Sequence, residues 1–308
     1  MRTDYFFDSC GAGKIHCCKW TPEGEARAVV QIVHGIAEYI ERYDAFAEYL
    51  NSLGFLVVAE DHMGHGQSIG QDGTPGYFHN GWFSAVRETV TLLQMTRQEY
   101  PELPYVLFGH SMGSFMARTI LCKYPDSGIS AAVICGTGWQ PRALLPAAIG
   151  LCELECRKIG KQTPGKRLEN LVFGGNNRRV EHPRTEFDWL SRDSKMVDAY
   201  IAHPLCGFTA SCGLFRDLLM GIQFVEKPEN LKKMRRDLPV LFVAGGDDPV
   251  GNYGKGVRRS AEAFRKVGMK DVTERIFPLC RHEILNEINR EEIFSFIARW
   301  MVGKVLNN

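Results

Sequence analysis

The stretch Gly109-His110-Ser111-Met112-Gly113 sets a serine between two glycines in a G-x-S-x-G pattern. Such a hydroxyl is suited to nucleophilic attack when it sits on a tight strand-to-helix turn. The pattern is short, and the chain carries 31 glycines among 308 residues, so context decides its meaning. The apolar run Tyr105–Gly109 leads straight into it, and Phe115, Met116, Ile120 and Tyr124 follow at helical spacing. A serine capping an ordinary helix is the plainer reading. A strand directly before and an amphipathic helix directly after favour a nucleophile elbow instead. Its flanking positions need glycine, because a Cβ there would strike the neighbouring strand or helix.

A serine hydroxyl attacks poorly without a base. His282 has the position such a base needs, on the loop Pro278-Leu279-Cys280-Arg281 that follows the run Val272–Phe277. His16, His110, His182 and His203 fall in an edge hairpin, in the elbow itself and in a long interval between strands. The acid that orients the imidazole should end the preceding strand, where Asp247 and Asp248 adjoin, and position does not choose between them. Acyl transfer also needs donors for an oxyanion. The N–H of Met112 is one. The turn Val33-His34-Gly35-Ile36 offers the other, with Gly35 letting the backbone approach and Ile36 placed to donate. The chemistry indicated is ester or amide cleavage through an acyl-serine.

A third segment, Asp61-His62-Met63-Gly64-His65-Gly66-Gln67-Ser68, gathers histidines and an acid that raise the question of a metal. No carboxylate cluster accompanies them, and the glycine spacing indicates a shaped loop packed beside the oxyanion turn. No metal and no cofactor is expected.

These side chains must be held by a scaffold. Apolar or β-branched runs at Ala28–Val33, Phe55–Glu60, Tyr105–Gly109, Ala131–Cys135, Leu238–Ala244 and Val272–Phe277 alternate with amphipathic helical patterns. Several runs are apolar throughout, as strands covered on both faces should be. The order predicts an α/β fold with a mostly parallel central sheet and helices on both faces. Thr3–Asp8 and Lys14–Trp20 read as an antiparallel hairpin on the sheet edge. Roughly a hundred residues separate Ala131–Cys135 from Leu238–Ala244. That is far more than a crossover needs. The interval holds helical patterns at Leu144–Ile159, Met196–Ala202 and Leu214–Val225 and a basic, glycine-rich loop at Lys161–Arg179. We therefore expect a helical cap at 138–225 inserted between an N-terminal core part at 1–137 and a C-terminal part at 226–308.

Composition narrows the function. Hydrophobic residues make up 44% of the chain, enough for a large core, and a formal net charge of +1 gives no electrostatic case for nucleic acid. No stretch approaches the ~20 apolar residues of a membrane span, and no apolar segment of a secretory signal follows the N-terminus. Ten scattered cysteines, with Cys152 and Cys156 four apart, read as reduced, buried thiols of a cytoplasmic protein.

Together these segments resemble the monoglyceride lipase and lysophospholipase branch of the α/β-hydrolases. Its HG-x-x-E…RY turn matches His34-Gly35-Ile36-Ala37-Glu38 with Arg42-Tyr43, and its DH-x-GHG-x-S loop matches Asp61 to Ser68. Its GHSMG elbow matches Gly109 to Gly113, and its late histidine matches His282. The G-x-x-D acid turn matches Gly245 to Asp248, so the resemblance selects Asp248 over Asp247. Asp188-Trp189-Leu190-Ser191-Arg192-Asp193 is similar to caps of bacterial relatives. Two positions depart: Tyr39 replaces a histidine after the glutamate of the HG turn, and Ser114 replaces a glycine after the elbow.

The resemblance implies an α/β-hydrolase fold and a Ser111–His282–Asp248 triad cleaving a small-molecule acyl ester of monoacylglycerol or lysophospholipid type. The same triad serves peptidases, thioesterases and acyltransferases, and a non-catalytic ligand-binding scaffold is the alternative outside enzymology. Apolar stripes at Leu144, Leu145, Ala147, Ala148, Ile149 and Leu151, and at Phe208, Leu214, Phe215, Leu218, Leu219 and Met220, ordinarily pack in a core. The sharper expectation is an acyl-chain pocket and a patch making transient contact with lipid surfaces.

Overall fold

In the computed structural model, which describes residues 1–70 and 73–306, the chain begins with a hairpin of β1 (Arg2–Asp8) and β2 (Lys14–Trp20). Then follow β3 (Ala28–Val33), α1 (Asp44–Asn51), β4 (Phe55–Glu60), α2 (Trp82–Glu99), β5 (Tyr105–His110), α3 (Met112–Lys123) and β6 (Ala131–Cys135). A long insertion carries α4 (Leu145–Ile159), α5 (Lys166–Phe173), α6 (Ser194–Ala202) and α7 (Cys212–Val225). The short α8 (Pro228–Leu231) leads back to the sheet as β7 (Val240–Gly245), α9 (Lys255–Lys266), β8 (Val272–Phe277) and α10 (Arg290–Val305).

The eight strands form one sheet in the order β1-β2-β4-β3-β5-β6-β7-β8, antiparallel at β1–β2 and β2–β4 and parallel elsewhere. This is the α/β-hydrolase fold. β3 to β7 are buried at every position, which is why they read as mainly apolar runs, and the polar Gln31 and Glu60 hydrogen-bond to each other at 3.2 Å. Side chains of α2, α3 and α9 pack one face of the sheet, and those of α1 and α10 pack the other.

The structure shifts several expected boundaries by one or two residues and corrects one element. β7 starts at Val240 rather than Leu238, because Pro239 has no N–H for a ladder; its carbonyl instead accepts from Ala132 N at 3.0 Å. β5 runs one residue further, to His110. The segment Lys161–Arg179, expected as a loop, contains α5 and a 3₁₀ turn at Asn176–Arg179. Glycines bracket that helix and its charged face is exposed, so buried Leu168 and half-buried Phe173, whose ring stacks on Trp189, anchor it.

Both ends of the insertion converge on α3. Arg118, fully buried, donates to Thr137 Oγ1 (3.2 Å), Gly138 O (3.1 Å) and Val225 O (3.4 Å). The rings of Phe115, Trp139 and Phe264 surround its guanidinium, with centroids 5.4, 6.0 and 6.0 Å away. Burial lowers its pKa to about 10.

Candidate active site

Ser111 joins β5 to α3 with φ 52° and ψ −119°, a conformation costly for a residue with a Cβ. Its N–H is tied to Cys135 O at 3.0 Å. The two elbow glycines have no room for a side chain: a Cβ on Gly113 would run into the carbonyl oxygens of Val33 and His34, and one on Gly109 into the carbonyl of Gly113. The turn thus lifts the hydroxyl at the C-terminal edge of the parallel sheet.

His282 and Asp248 meet that hydroxyl from the loops after β8 and β7. His282 Nε2 lies 2.9 Å from Ser111 Oγ, and Nδ1 lies 3.0 Å from Asp248 Oδ1. Asp248 is fully buried and its Oδ1 also accepts from Val250 N at 2.9 Å. Asp247, one residue earlier, is exposed, so the geometry selects the same carboxylate as the motif. Burial of His282 opposes protonation, but the charge of Asp248 and its hydrogen bond outweigh it, and the imidazole pKa is raised.

The expected oxyanion turn lies against the serine. A Cβ on Gly35 would come 3.1 Å from Ser111 Cβ, which makes glycine the residue that permits this approach. The N–H of Gly35 is committed to Glu38 Oε1 at 2.6 Å. Gly35 and Ile36 line the same cavity as Ser111 and His282. Met112 follows the serine at the start of α3, with its side chain buried in the core.

A buried charged network holds these parts. Glu38 accepts from Gly35 N, from Tyr43 Oη (2.9 Å) and from Arg42 Nη1 (2.8 Å), and lies 3.2 Å from His110 Nδ1. Arg42 also grips Glu283, next to His282, with two bonds of 2.6 Å. Burial alone would raise both carboxyl groups, yet each sits below the ordinary range. His110 and Arg42 lower Glu38, and Arg42 lowers Glu283. Arg42 is the link between the oxyanion turn and the histidine loop. Glu38, Arg42 and Tyr43 were visible in the sequence as motif residues. Glu283 carried no signal, because its partner is 241 residues away.

The insertion also grips the histidine loop. His282 N donates to Trp189 O at 3.3 Å and Glu283 N to Leu190 O at 2.7 Å, while Arg281 Nη1 donates to Asp188 O (2.6 Å) and Ser191 O (2.9 Å). The Trp189 ring packs 5.2 Å from His282. From the other side Tyr200 lies over Arg42 at 4.8 Å, and Tyr39, the departure in the HG turn, stacks on His203 at 4.5 Å. Ser114, the second departure, donates to Ser111 O at 2.6 Å.

The Asp61–Ser68 loop has the structural role expected of it. His62 N donates to His34 Nε2 at 3.0 Å, and the two rings stack 4.0 Å apart. Asp61 accepts from Ile40 N (3.0 Å) and Gln67 N (2.9 Å). Burial holds His34 well below its ordinary pKa, so it stays neutral.

The cavity over Ser111 measures about 560 Å³. Phe173, Phe187, Trp189, Leu190, Tyr200 and Phe208 form its apolar lining, and Glu169 and Glu186 are among its polar groups. This corrects the expected pocket. Of the two stripes, only Phe208 reaches the cavity; Leu145, Leu214, Phe215 and Leu218 are buried where α7 packs on α3 and α4, and Leu144, Leu151 and Met220 are exposed. A leucine stripe marks a packed face without naming the neighbour, and here the neighbour is another helix.

A family model described as serine aminopeptidase, S33, matches residues 24–289. The monoacylglycerol lipase of Mycolicibacterium smegmatis is 28% identical over 306 residues, covering 98% of each chain. A thermostable carboxyl esterase from Bacillus coagulans, solved in complex with glycerol, superposes with a TM-score of 0.91 at 29% identity over 99% of both chains. A lipase solved in an open form does so at 0.89 and 27% over 100% of both. A match over that much of the sequence places the chain in the S33 family of α/β-hydrolases, and among its relatives it is monoacylglycerol lipase-like.

Proposed function

We propose that the protein hydrolyses carboxylic esters of lipid-like substrates, of monoacylglycerol or lysophospholipid type, through an acyl-enzyme on Ser111. The observation that carries this is one imidazole within hydrogen-bond reach of both Ser111 Oγ and Asp248 Oδ1, beneath a cavity that Phe173, Phe187, Trp189, Tyr200 and Phe208 line beside its polar groups. Ser111 attacks the ester carbonyl while His282 Nε2 takes its proton. Asp248 holds the tautomer with Nδ1–H and stabilises the imidazolium. The N–H groups of Ile36 and Met112 receive the developing oxyanion. His282 then protonates the leaving alcohol, and water cleaves the acyl-serine by the same route. The insertion at 138–225 acts as the cap that shapes the acyl site, a reading supported by its two roots meeting at Arg118 and its middle strip meeting His282.

Ten unpaired cysteines, nine of them buried, support work in the cytoplasm. Among the described residues no helix is long and apolar enough to cross a membrane. Exposed Leu144, Leu151 and Leu154 on α4 and its approach support a transient lipid-surface contact of the cap.

The experiment is an activity panel of mono-, di- and triacylglycerols, lysophospholipids and short esters, with Ser111→Ala as the control. Turnover of long-chain monoesters that Ser111→Ala abolishes supports the proposal. Activity retained in Ser111→Ala overturns the nucleophile. One observation favours a second reading: Glu169 and Glu186 line the cavity and could hold a substrate amine, as an aminopeptidase needs. Aminoacyl p-nitroanilides in the same panel separate the two.

A further inference from the structure

The edge hairpin carries a cluster that the hydrolytic site does not use. In the register of β1 and β2, Asp4 pairs directly with Cys18, and His16 lies two residues along on the same face. Their ligand atoms lie within 4.8 Å of one another, with His16 Nε2 and Cys18 Sγ each 3.0 Å from Asp4 Oδ1. His16 and Cys18 are fully buried, while the Asp4 side chain is 40% exposed and opens the cluster to solvent. Cys17 points to the opposite face, into the other half of the core.

We propose that Asp4, His16 and Cys18 form a zinc site that staples β1 to β2. One thiolate, one imidazole and one carboxylate are a donor set that suits zinc and is too soft for calcium or magnesium. Bonds of ~2.0–2.3 Å in a tetrahedral site set ligand atoms roughly 3.3–3.6 Å apart. The two distances to Asp4 are a few tenths of an ångström shorter than that, and Asp4, on the exposed edge strand, is the ligand free to yield. A second carboxylate already does what metal-binding histidines require: Asp61 Oδ2 holds His16 Nδ1 at 2.8 Å and turns Nε2 toward the cluster. Asp61 is itself fixed by the N–H groups of Ile40 and Gln67. Arg2 competes for Asp4, at 3.3 Å from Oδ1 and 3.4 Å from Oδ2. It also reaches Glu41 (2.8 Å) and Asp44 (3.2 Å), so it keeps acidic partners when Asp4 turns to the metal. On binding, the Cys18 thiol proton and any proton on His16 Nε2 pass to solvent, and a water completes the fourth position.

The test is titration of reduced, chelator-treated full-length protein with Zn²⁺ by calorimetry and with Co²⁺ by absorption, with folding checked by far-UV circular dichroism. One ion per chain should bind, and the Co²⁺ adduct should show thiolate-to-metal charge transfer. Cys18→Ser should abolish that band, and Asp4→Asn should weaken Zn²⁺ binding by about tenfold or more. Cys10→Ser, at the exposed cysteine, should change neither. Absence of binding by the parent protein, or binding and charge transfer unaltered by Cys18→Ser and Asp4→Asn, overturns the site. Should Cys18→Ser fail to fold, the exposed Asp4→Asn change decides alone.

Discussion

Replacing Arg42 with methionine keeps the volume of the side chain but strands two buried carboxylates. Glu38 and Glu283 are 4% and 6% exposed at their side chains, and Arg42 supplies their shared counter-charge through bonds of 2.8, 2.6 and 2.6 Å. Removing one partner of a buried ion pair costs about 3–5 kcal/mol, most of it the penalty for leaving a charge in a medium that does not solvate it. At about 2 °C per kcal/mol for a chain of this size, the melting temperature should fall by roughly 6–10 °C. The double variant Arg42→Met/Glu283→Gln removes the charge on Glu283 along with its partner. It should therefore be more stable than the sum of the single changes predicts, with a coupling of about 1–3 kcal/mol. Urea denaturation of the parent, both single variants and the double variant measures all four corners of this cycle. A loss under about 1 kcal/mol for Arg42→Met, or strictly additive changes, would refute the idea that this guanidinium neutralises the network.

Asp248→Asn should lower kcat by about 10⁴ with little change in KM, because the asparagine favours the wrong imidazole tautomer; steady-state kinetics checks it. His282 must be neutral to accept a proton and its pKa is raised, so kcat/KM should climb with pH along an acid limb above the ordinary histidine value of about 6.5. Removing the Asp248 charge should move that limb to lower pH, which a pH–rate profile reads. By the same sign, the stability that His282 contributes when protonated is present at low pH and is lost as pH rises through the raised folded-state value. Arg118→Met should free both roots of the insertion, so limited proteolysis should nick 138–225 several-fold faster than in the parent. Gly113→Ala should yield insoluble or unfolded protein, since the carbonyls of Val33 and His34 occupy the space of the new methyl; recovery of soluble, active enzyme would contradict the geometry of the elbow.

The parallel sheet was legible because its central strands are covered on both faces, so burial wrote itself as mainly apolar runs from β3 to β7. The elbow was legible because steric limits at Gly109 and Gly113 allow few other residues. The choice of Asp248 over Asp247 was not a matter of position, since both follow β7; it follows from which side chain the turn buries. α5 was hidden because glycines flank it and basic residues crowd it, and its helicity rests on tertiary contacts at Leu168 and Phe173. The Arg42–Glu283 link and the aromatic lining of the cavity were illegible for another reason. Each is a contact between segments far apart in the chain, and no local pattern encodes which distant group will arrive.

The strip from Asp188 to Ser191 hydrogen-bonds to the loop that bears His282, so that imidazole is moored partly to the insertion and not wholly to the sheet. A displacement of the whole insertion would either break these bonds or pull on the loop, and so disturb the 2.9 Å approach of His282 Nε2 to Ser111 Oγ. Exchanging this insertion for a foreign one would need seams on either side of that strip, so that the native 188–191 backbone stays behind.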